Sequence, residues 1–235
     1  MENLFYQPAI VTGILYLDQE ESKHCIRVLR KKQGENILIT DGLGHLYKAL
    51  ITNPNPAKCE FTIQSVTEDP KRNYNIHLAI SPTKNSDRIE WMVEKCVEIG
   101  IDEVTLLLCR NTEKKKFKTT RIEKLAISAM KQSHRGWLPK INPLTSFNDF
   151  IKSLPPNTTN YIAYVDQSNP NHLLHLAKPS EDYVVMVGPE GDFSPDEIDI
   201  ATQQAFKKVS LGNYRLRTET AGLAVCQILN LINAE

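Results

Sequence analysis

The chain has 235 residues, 41% apolar and 24% charged, and its 28 basic and 28 acidic side chains cancel. That is enough for a sizeable core in one or two domains, and the longest apolar runs are strand-sized, which argues against a membrane span. Five scattered cysteines without a C-x-x-C (Cys25, Cys59, Cys96, Cys109, Cys226) and a Met1-Glu2-Asn3-Leu4 start lacking a secretory signal point to a cytoplasmic protein with reduced thiols. A nucleophilic cysteine is the remaining alternative for one of them.

The first third reads as strands and turns. Ala9 to Tyr16 is β-branched and aliphatic, a strand candidate, and Glu20 to Lys31 can form a short helix. Asn36 to Thr40 and His45 to Thr52 flank Asp41-Gly42-Leu43-Gly44, a hairpin signal. Lys58 to Val66 alternates again, after a loop that Pro54 and Pro56 keep out of the sheet. Short strands so closely spaced predict a small β-barrel over residues 1–72, ending in the polar, proline-bearing run 68–73.

From Tyr74 onward strand and helix alternate. Ile76 to Ile80 is a strand; Ser86 caps a helix whose Ile89, Met92, Val93, Cys96 and Val97 form one apolar stripe, ended by Gly100. Val104 to Cys109 is the next strand, and Thr120-Arg121-Ile122-Glu123 reads as a capping box. A strand follows over Tyr161 to Val165, then a weak helix near His172 to Ala177. Val184 to Val187 is an apolar strand, and Ser194-Pro195-Asp196-Glu197 writes out a helix start with N-cap, proline and capping box. A short strand at Val209 to Leu211 leads into a last helix, Thr220 to Ile232, so apolar all round that it is deeply buried or shared with another subunit. Alternation of this kind predicts a mainly parallel α/β sheet with helices on both faces over residues 73–235.

Two loops stand out at strand ends: Gly188-Pro189-Glu190-Gly191-Asp192-Phe193 and Gly212-Asn213-Tyr214-Arg215-Leu216-Arg217-Thr218. In a parallel sheet both lie where α/β ligands bind. Gly188 and Gly191 permit close backbone approach, although a tight turn alone would also use them. Neither a G-x-G-x-x-G nor a P-loop is present, which disfavours dinucleotide and P-loop chemistry. His172 and His175 have no third ligand in the sequence, so no metal is expected. Residues 110–140 carry ten Lys or Arg against two acids, a block of +8, and residues 141–200 carry two against nine, −7. Such opposed blocks suit one basic binding face, or a solvated lysine-rich loop.

V-G-P-E-G-D-F-S-P-D-E-I followed by L-G-N-Y-R-L-R-T-E-T-A resembles the paired signatures of the RsmE family, SPOUT-class enzymes that methylate the N3 nitrogen of a uridine in bacterial 16S ribosomal RNA. The resemblance covers the chain. His24, Val28-Leu29-Arg30, Gly34 and Asp41-Gly42 resemble the family's PUA-like barrel; Lys84, Arg88, Glu90, Lys95, Glu98 and Gly100 match its central helix, and Gln132 with Arg135 its Q-x-x-R element. Three departures stand beside it: Asp192 replaces a usual glycine, Tyr214-Arg215-Leu216-Arg217 displaces the first arginine of R-I-L-R, and Asn3-Leu4-Phe5-Tyr6 lacks an arginine before the aromatic pair.

The resemblance implies a trefoil-knotted sheet, a homodimer paired through the knot region, and S-adenosylmethionine held by Val187, Gly188, Pro189, Glu190, Gly191, Leu211, Gly212, Leu216, Arg217 and Thr218. It implies RNA contacts, mostly at phosphates, by Arg27, Arg30, Lys84, Arg88, Gln132 and Arg135, with 16S ribosomal RNA or the small subunit as partner. Methylating N3 requires the imide proton to leave and its anion to be stabilised. A cation such as Arg217 suits the carbonyl oxygens and a carboxylate such as Glu219 can orient or accept the proton, unless the pair is a salt bridge or cap at the helix start. A SPOUT enzyme for another nucleotide, or a non-catalytic RNA-binding assembly factor, are the alternative readings.

Overall fold

Ile76 to Ile80 is apolar but for His77 because, in the computed structural model, that strand has neighbours on both edges and helices on both faces. The structure describes residues 3–164 and 171–234. The chain forms two compact units, 1–71 with 127–138, and 72–126 with 139–235.

In the first unit, β1 (Leu4–Tyr6) pairs parallel with β2 (Asn36–Thr40); β2 pairs antiparallel with β3 (His45–Asn53), and β3 with β4 (Glu60–Glu68). The four-residue turn 41–44 is the expected hairpin. Asp41 organises it, accepting from the backbone N–H groups of Leu43 and His45 at 2.7 and 3.2 Å and contacting His45 Nδ1 at 2.6 Å. Phe5, Leu17, Ile37, Ile39, Ile51 and Phe61 fill the core. The strand expected over Ala9 to Tyr16 is instead a 3₁₀ turn, Pro8–Thr12, ended by Gly13 in the left-handed region. Pro8 cannot donate to a ladder, and the Gln7 side chain accepts from Ala9 N at 3.1 Å, so local bonds win over β propensity. The helix expected over Glu20 to Lys31 is α1 (Gln19–Lys23), capped by Asp18, followed by a π turn, His24–Val28.

Among its described residues the second unit holds six strands, all parallel, in the order β10-β8-β9-β5-β6-β7: β5 (Asn75–Ile80), β6 (Glu103–Leu108), β7 (Lys140–Ser146), β8 (Thr159–Ala163), β9 (Asp182–Val187) and β10 (Lys207–Val209). The helices that follow are α2 (Ser86–Ile99), α3 (Thr120–Gln132, of which 127–132 count with the first unit), α4 (Phe147–Lys152), α5 (Leu173–Leu176), α6 (Pro195–Gln203) and α7 (Thr218–Ile232). Val165, the expected end of β8, lies outside the described residues, as do Met1 and Glu2. Asn85 rather than Ser86 caps α2. Alternate residues face opposite layers. Ala79, Val184 and Met186 pack with Phe147, Phe150, Phe193 and Ile198, placing α4 and α6 on one face. Gly222 of α7 meets Leu78, Ile80 and Met92, so α2 and α7 cover the other, and a Cβ at Gly222 would stand 2.7 Å from Ile80 Cδ1. Arg72 ties the amino ends together, bidentate to Asp102 at 2.6 Å and bonded to Asn230 of α7 at 2.7 Å. Among the described residues no helix is long and apolar enough to cross a membrane.

Candidate active site

Neighbouring strands β5 and β9 send their connections opposite ways: β5 leads through α2 to β6, and β9 through α6 to β10 beyond β8. Such a switch opens a crevice at the carboxyl ends, the usual ligand site of an open α/β sheet. Ser81 N donates to Val187 O at 3.0 Å and closes the floor between the two strand ends.

The loop after β9 turns sharply. Gly188 lies against Phe193, whose ring would stand 3.0 Å from an added Cβ, so a side chain there would need the buried aromatic to shift. Asp192 N donates to Pro189 O at 2.9 Å. Asp192 adopts φ +61°, a conformation glycine takes without strain, and its Oδ1 accepts from Phe193 N at 2.8 Å. Aspartate is among the few side chains that tolerate this region, which accounts for its place where the resembled family carries glycine. The Asn111 amide braces the turn by donating to the carbonyls of Gly191 and Asp192 at 3.1 and 3.0 Å.

The loop 210–217 comes up to the first. Arg215 Nη2 donates to Glu190 O at 2.9 Å, and Thr218 Oγ1 donates to Gly188 O at 3.2 Å. These two bonds join stretches separated by 25 and 30 residues. Val187, Gly188, Pro189, Thr218 and Glu219 are buried, Leu211 and Leu216 half-buried, and Glu190, Gly191, Gly212 and Arg217 exposed. Gly212 has φ +136° with nothing within 4 Å of an added Cβ, so its glycine serves the backbone bend.

α7 starts here, two residues before the expected Thr220. Arg217 is its N-cap but makes no side-chain capping bond, and its cation sits at the positive end of the helix dipole. Glu219, in the first turn, is 7% exposed. Its Oε1 lies 3.8 Å from Arg88 Nε, and its buried Oε2 has no hydrogen-bond partner. An unsatisfied buried acceptor of this kind costs about 1–3 kcal/mol, more when charged. The site therefore combines an exposed cation, a buried carboxylate with one oxygen unspent, and two open loops.

Other expected residues fall elsewhere. Arg27 and Arg30 are exposed at and beyond the π turn of the first unit, and Gln132 and Arg135 also belong to that unit. Lys84 pairs with Glu113 at 3.6 Å. The Cys109 thiol is buried and pushed up by that burial and then by Glu197, the opposite of the accessible thiolate a nucleophile requires. His172 Nδ1 accepts from Leu174 N at 3.1 Å, capping α5, and no group of three metal-ligating side chains occurs among the described residues. Asn111 and Arg215 escaped the sequence reading. Asn111 follows a strand with no glycine to flag it, and Arg215 registered only as a displaced motif arginine.

The family described as the RNA methyltransferase domain matches residues 70–230, and the RNA methyltransferase PUA domain matches residues 17–64. A probable rRNA-methyltransferase from Porphyromonas gingivalis is 38% identical, with 99% of this chain and 98% of that one covered and a TM-score of 0.92. The ribosomal RNA small subunit methyltransferase E of Neisseria gonorrhoeae, bound to S-adenosyl methionine, is 28% identical over 99% and 98%, with a TM-score of 0.88. The enzyme of the same name from Aquifex aeolicus is 29% identical over 97% of this chain and 98% of its own.

Proposed function

The chain belongs to the RNA methyltransferase family, and on that premise we propose that it methylates the N3 nitrogen of a specific uridine in 16S ribosomal RNA. The observation that carries this is the meeting of the two loops over the β5–β9 crevice through Thr218–Gly188 and Arg215–Glu190. S-adenosylmethionine is the cofactor and, when bound, supplies a methyl group activated on a sulfonium sulfur. The residues present fit it: exposed backbone at Glu190 and Gly191, open space at Gly212, and a buried floor between the two strand ends. Val187 to Gly191, Leu211, Gly212 and Leu216 to Thr218 would hold it.

Arg217 stabilises the uracil carbonyl oxygens as the imide loses its proton, and Glu219 orients that N–H and accepts the proton. Because N3 lies on the pairing edge, the base enters unpaired or flipped. Residues 1–72 serve as the PUA-like RNA-binding domain and 73–235 as the methyltransferase domain. Arg27, Arg30, Lys84, Gln132 and Arg135 hold RNA mainly at phosphates, so binding weakens steeply with salt. The same reading includes a trefoil knot, supported by the position of β9 between β8 and β5, both earlier in the chain. It also includes a homodimer, supported by Leu231 standing 57% exposed on the apolar α7, and work in the cytoplasm on the RNA or the small subunit.

Mass spectrometry of 16S ribosomal RNA from a deletion strain tests the reading. Wild type restores one N3-methyluridine and Arg217→Ala does not. A methyl on another atom would redirect the assignment, and an unchanged methylation profile with no donor binding would leave an RNA-binding factor.

A further inference from the structure

Three acidic side chains and two arginines meet where α2 and α3 start and α7 begins, and they sort into pairs. Arg121 takes the two acids nearest the start of α2, Glu90 at 2.8 Å and Asp87 at 3.8 Å. Arg88 lies between those two acids in sequence, yet its ion-pair partner is Glu219 on α7, at 3.8 Å. That distance is too long for a hydrogen bond, so Arg88 attracts the carboxylate without consuming its lone pairs. The attraction falls on Oε1, while Oε2 is buried and has no protein donor. The contact is looser than that of Arg72 with Asp102, where Nη2 alone donates to both oxygens at 2.6 Å and leaves neither of them without a donor.

We infer that Arg88 is a positioning residue: it holds the Glu219 carboxylate by Oε1 and turns Oε2 toward the substrate base. This rests on the role proposed above for Glu219 and departs from the phosphate contact that resemblance implies for Arg88. Arg121 makes the arrangement possible by occupying Asp87 and Glu90, which would otherwise compete for the Arg88 guanidinium.

The test is a double-mutant cycle on Arg88→Ala and Glu219→Gln, with Arg88→Lys as the conservative variant and Arg88→Met in reserve should alanine fail to fold. Four quantities are read: kcat, KM for 16S RNA, the salt slope of RNA affinity by anisotropy, and the dissociation constant of S-adenosylmethionine by calorimetry. Arg88→Ala is expected to lower kcat about 10- to 100-fold, the scale of a misplaced catalytic group. Arg88→Lys should recover much of that. RNA KM, salt slope and donor affinity should stay within about twofold, and the double variant should be no slower than Glu219→Gln alone.

A raised KM with a salt slope shallower by about one, kcat intact, would make Arg88 a phosphate contact and overturn the inference. Multiplicative losses in the double variant would overturn it too. Weakened donor binding in Glu219→Gln would turn Oε2 toward the cofactor instead of the base, with the same result. A slow Glu219→Gln beside a normal Arg88→Ala sinks the inference alone, whereas a fully active Glu219→Gln sinks the role proposed for Glu219 with it.

Discussion

Two helices start at the carboxyl ends of one sheet, α6 after Ser194 and α7 after Arg217, and their first turns contrast at every position. At α6, Ser194 Oγ accepts from Glu197 N at 3.4 Å, and Glu197 accepts in return from Ser194 N and Oγ at 2.8 and 2.9 Å. Its other oxygen accepts from Arg110 N at 2.8 Å, so a buried carboxylate is satisfied throughout. At α7 the cap is an arginine without a capping bond, and the buried carboxylate two residues on keeps one oxygen without a donor. A fold gains nothing from the second arrangement, and departures from local consistency concentrate at functional sites. The first turn of α6 is built for stability, and that of α7 is the one the proposed function assigns to a ligand.

Exchanging the two properties by mutation is the sharpest way to break this contrast. Arg217→Ala should cut methyl transfer to 16S RNA about 10²- to 10³-fold, the usual cost of removing one oxyanion-stabilising donor. Its thermal midpoint should hold or rise, since a cation leaves a helix amino terminus, a change worth about 0.3–1 kcal/mol. A variant that loses activity and stability together would show Arg217 to be part of the scaffold.

Ser194→Ala should do the reverse. Loss of an N-cap costs about 0.5–2 kcal/mol, and each kcal/mol lowers the midpoint of a chain this size by about 2–4 °C. Below the transition its kcat should match wild type within about twofold. Calorimetric melts beside methyl-transfer assays decide it, and a large kcat loss at full stability would erase the distinction between the helix starts.

The α6 start could be read directly from Ser194-Pro195-Asp196-Glu197, because capping is a local interaction between residues three apart. β9 was equally plain, since a strand buried on both faces reads as an apolar run, and β5 nearly so, with His77 breaking Ile76 to Ile80. β7 and α4 were not. Lys140–Ser146 is an edge strand carrying Pro143, with a half-buried pattern that mimics a loop. The two glycine loops were legible as a site, but the bonds joining them were not, because Arg215 and Thr218 reach backbone carbonyls that carry no sequence signal. Nor does any pattern announce that residues 127–138 belong with the first compact unit, a matter of tertiary packing alone.

A smaller effect separates the loops that feed the two helices. Asp192 holds a left-handed conformation with the help of its own carboxylate. Asp192→Ala keeps the strain and loses the bond, and should cost about 1 kcal/mol, whereas Asp192→Gly should relieve the strain and fall at or above wild-type stability. Urea midpoints of the three proteins test this. Equal losses in both variants would mean that the carboxylate, and not the backbone, decides.

The smallest effect comes from the sheet that carries both helices and should touch them alike. Burial holds the His77 imidazole below its ordinary range, with Lys140 adding to that and Glu103 at 3.9 Å opposing it. As pH falls through 6.5 the unfolded chain takes up a proton that folded His77 resists. Stability is therefore present above 6.5 and declines below it until the folded imidazole also protonates. Glu103 is held below the usual carboxylate range despite its burial, by His77 and by bonds from Lys140 and Asn142, so it contributes above 4.5 and loses that contribution as the carboxylate protonates. Both groups act in the same direction, His77 first. Urea midpoints should drop between pH 7.5 and 5.5, and His77→Gln should flatten that segment while leaving the loss below pH 4.5. If His77→Gln declines as steeply as wild type between 7.5 and 5.5, the acid sensitivity arises away from this sheet.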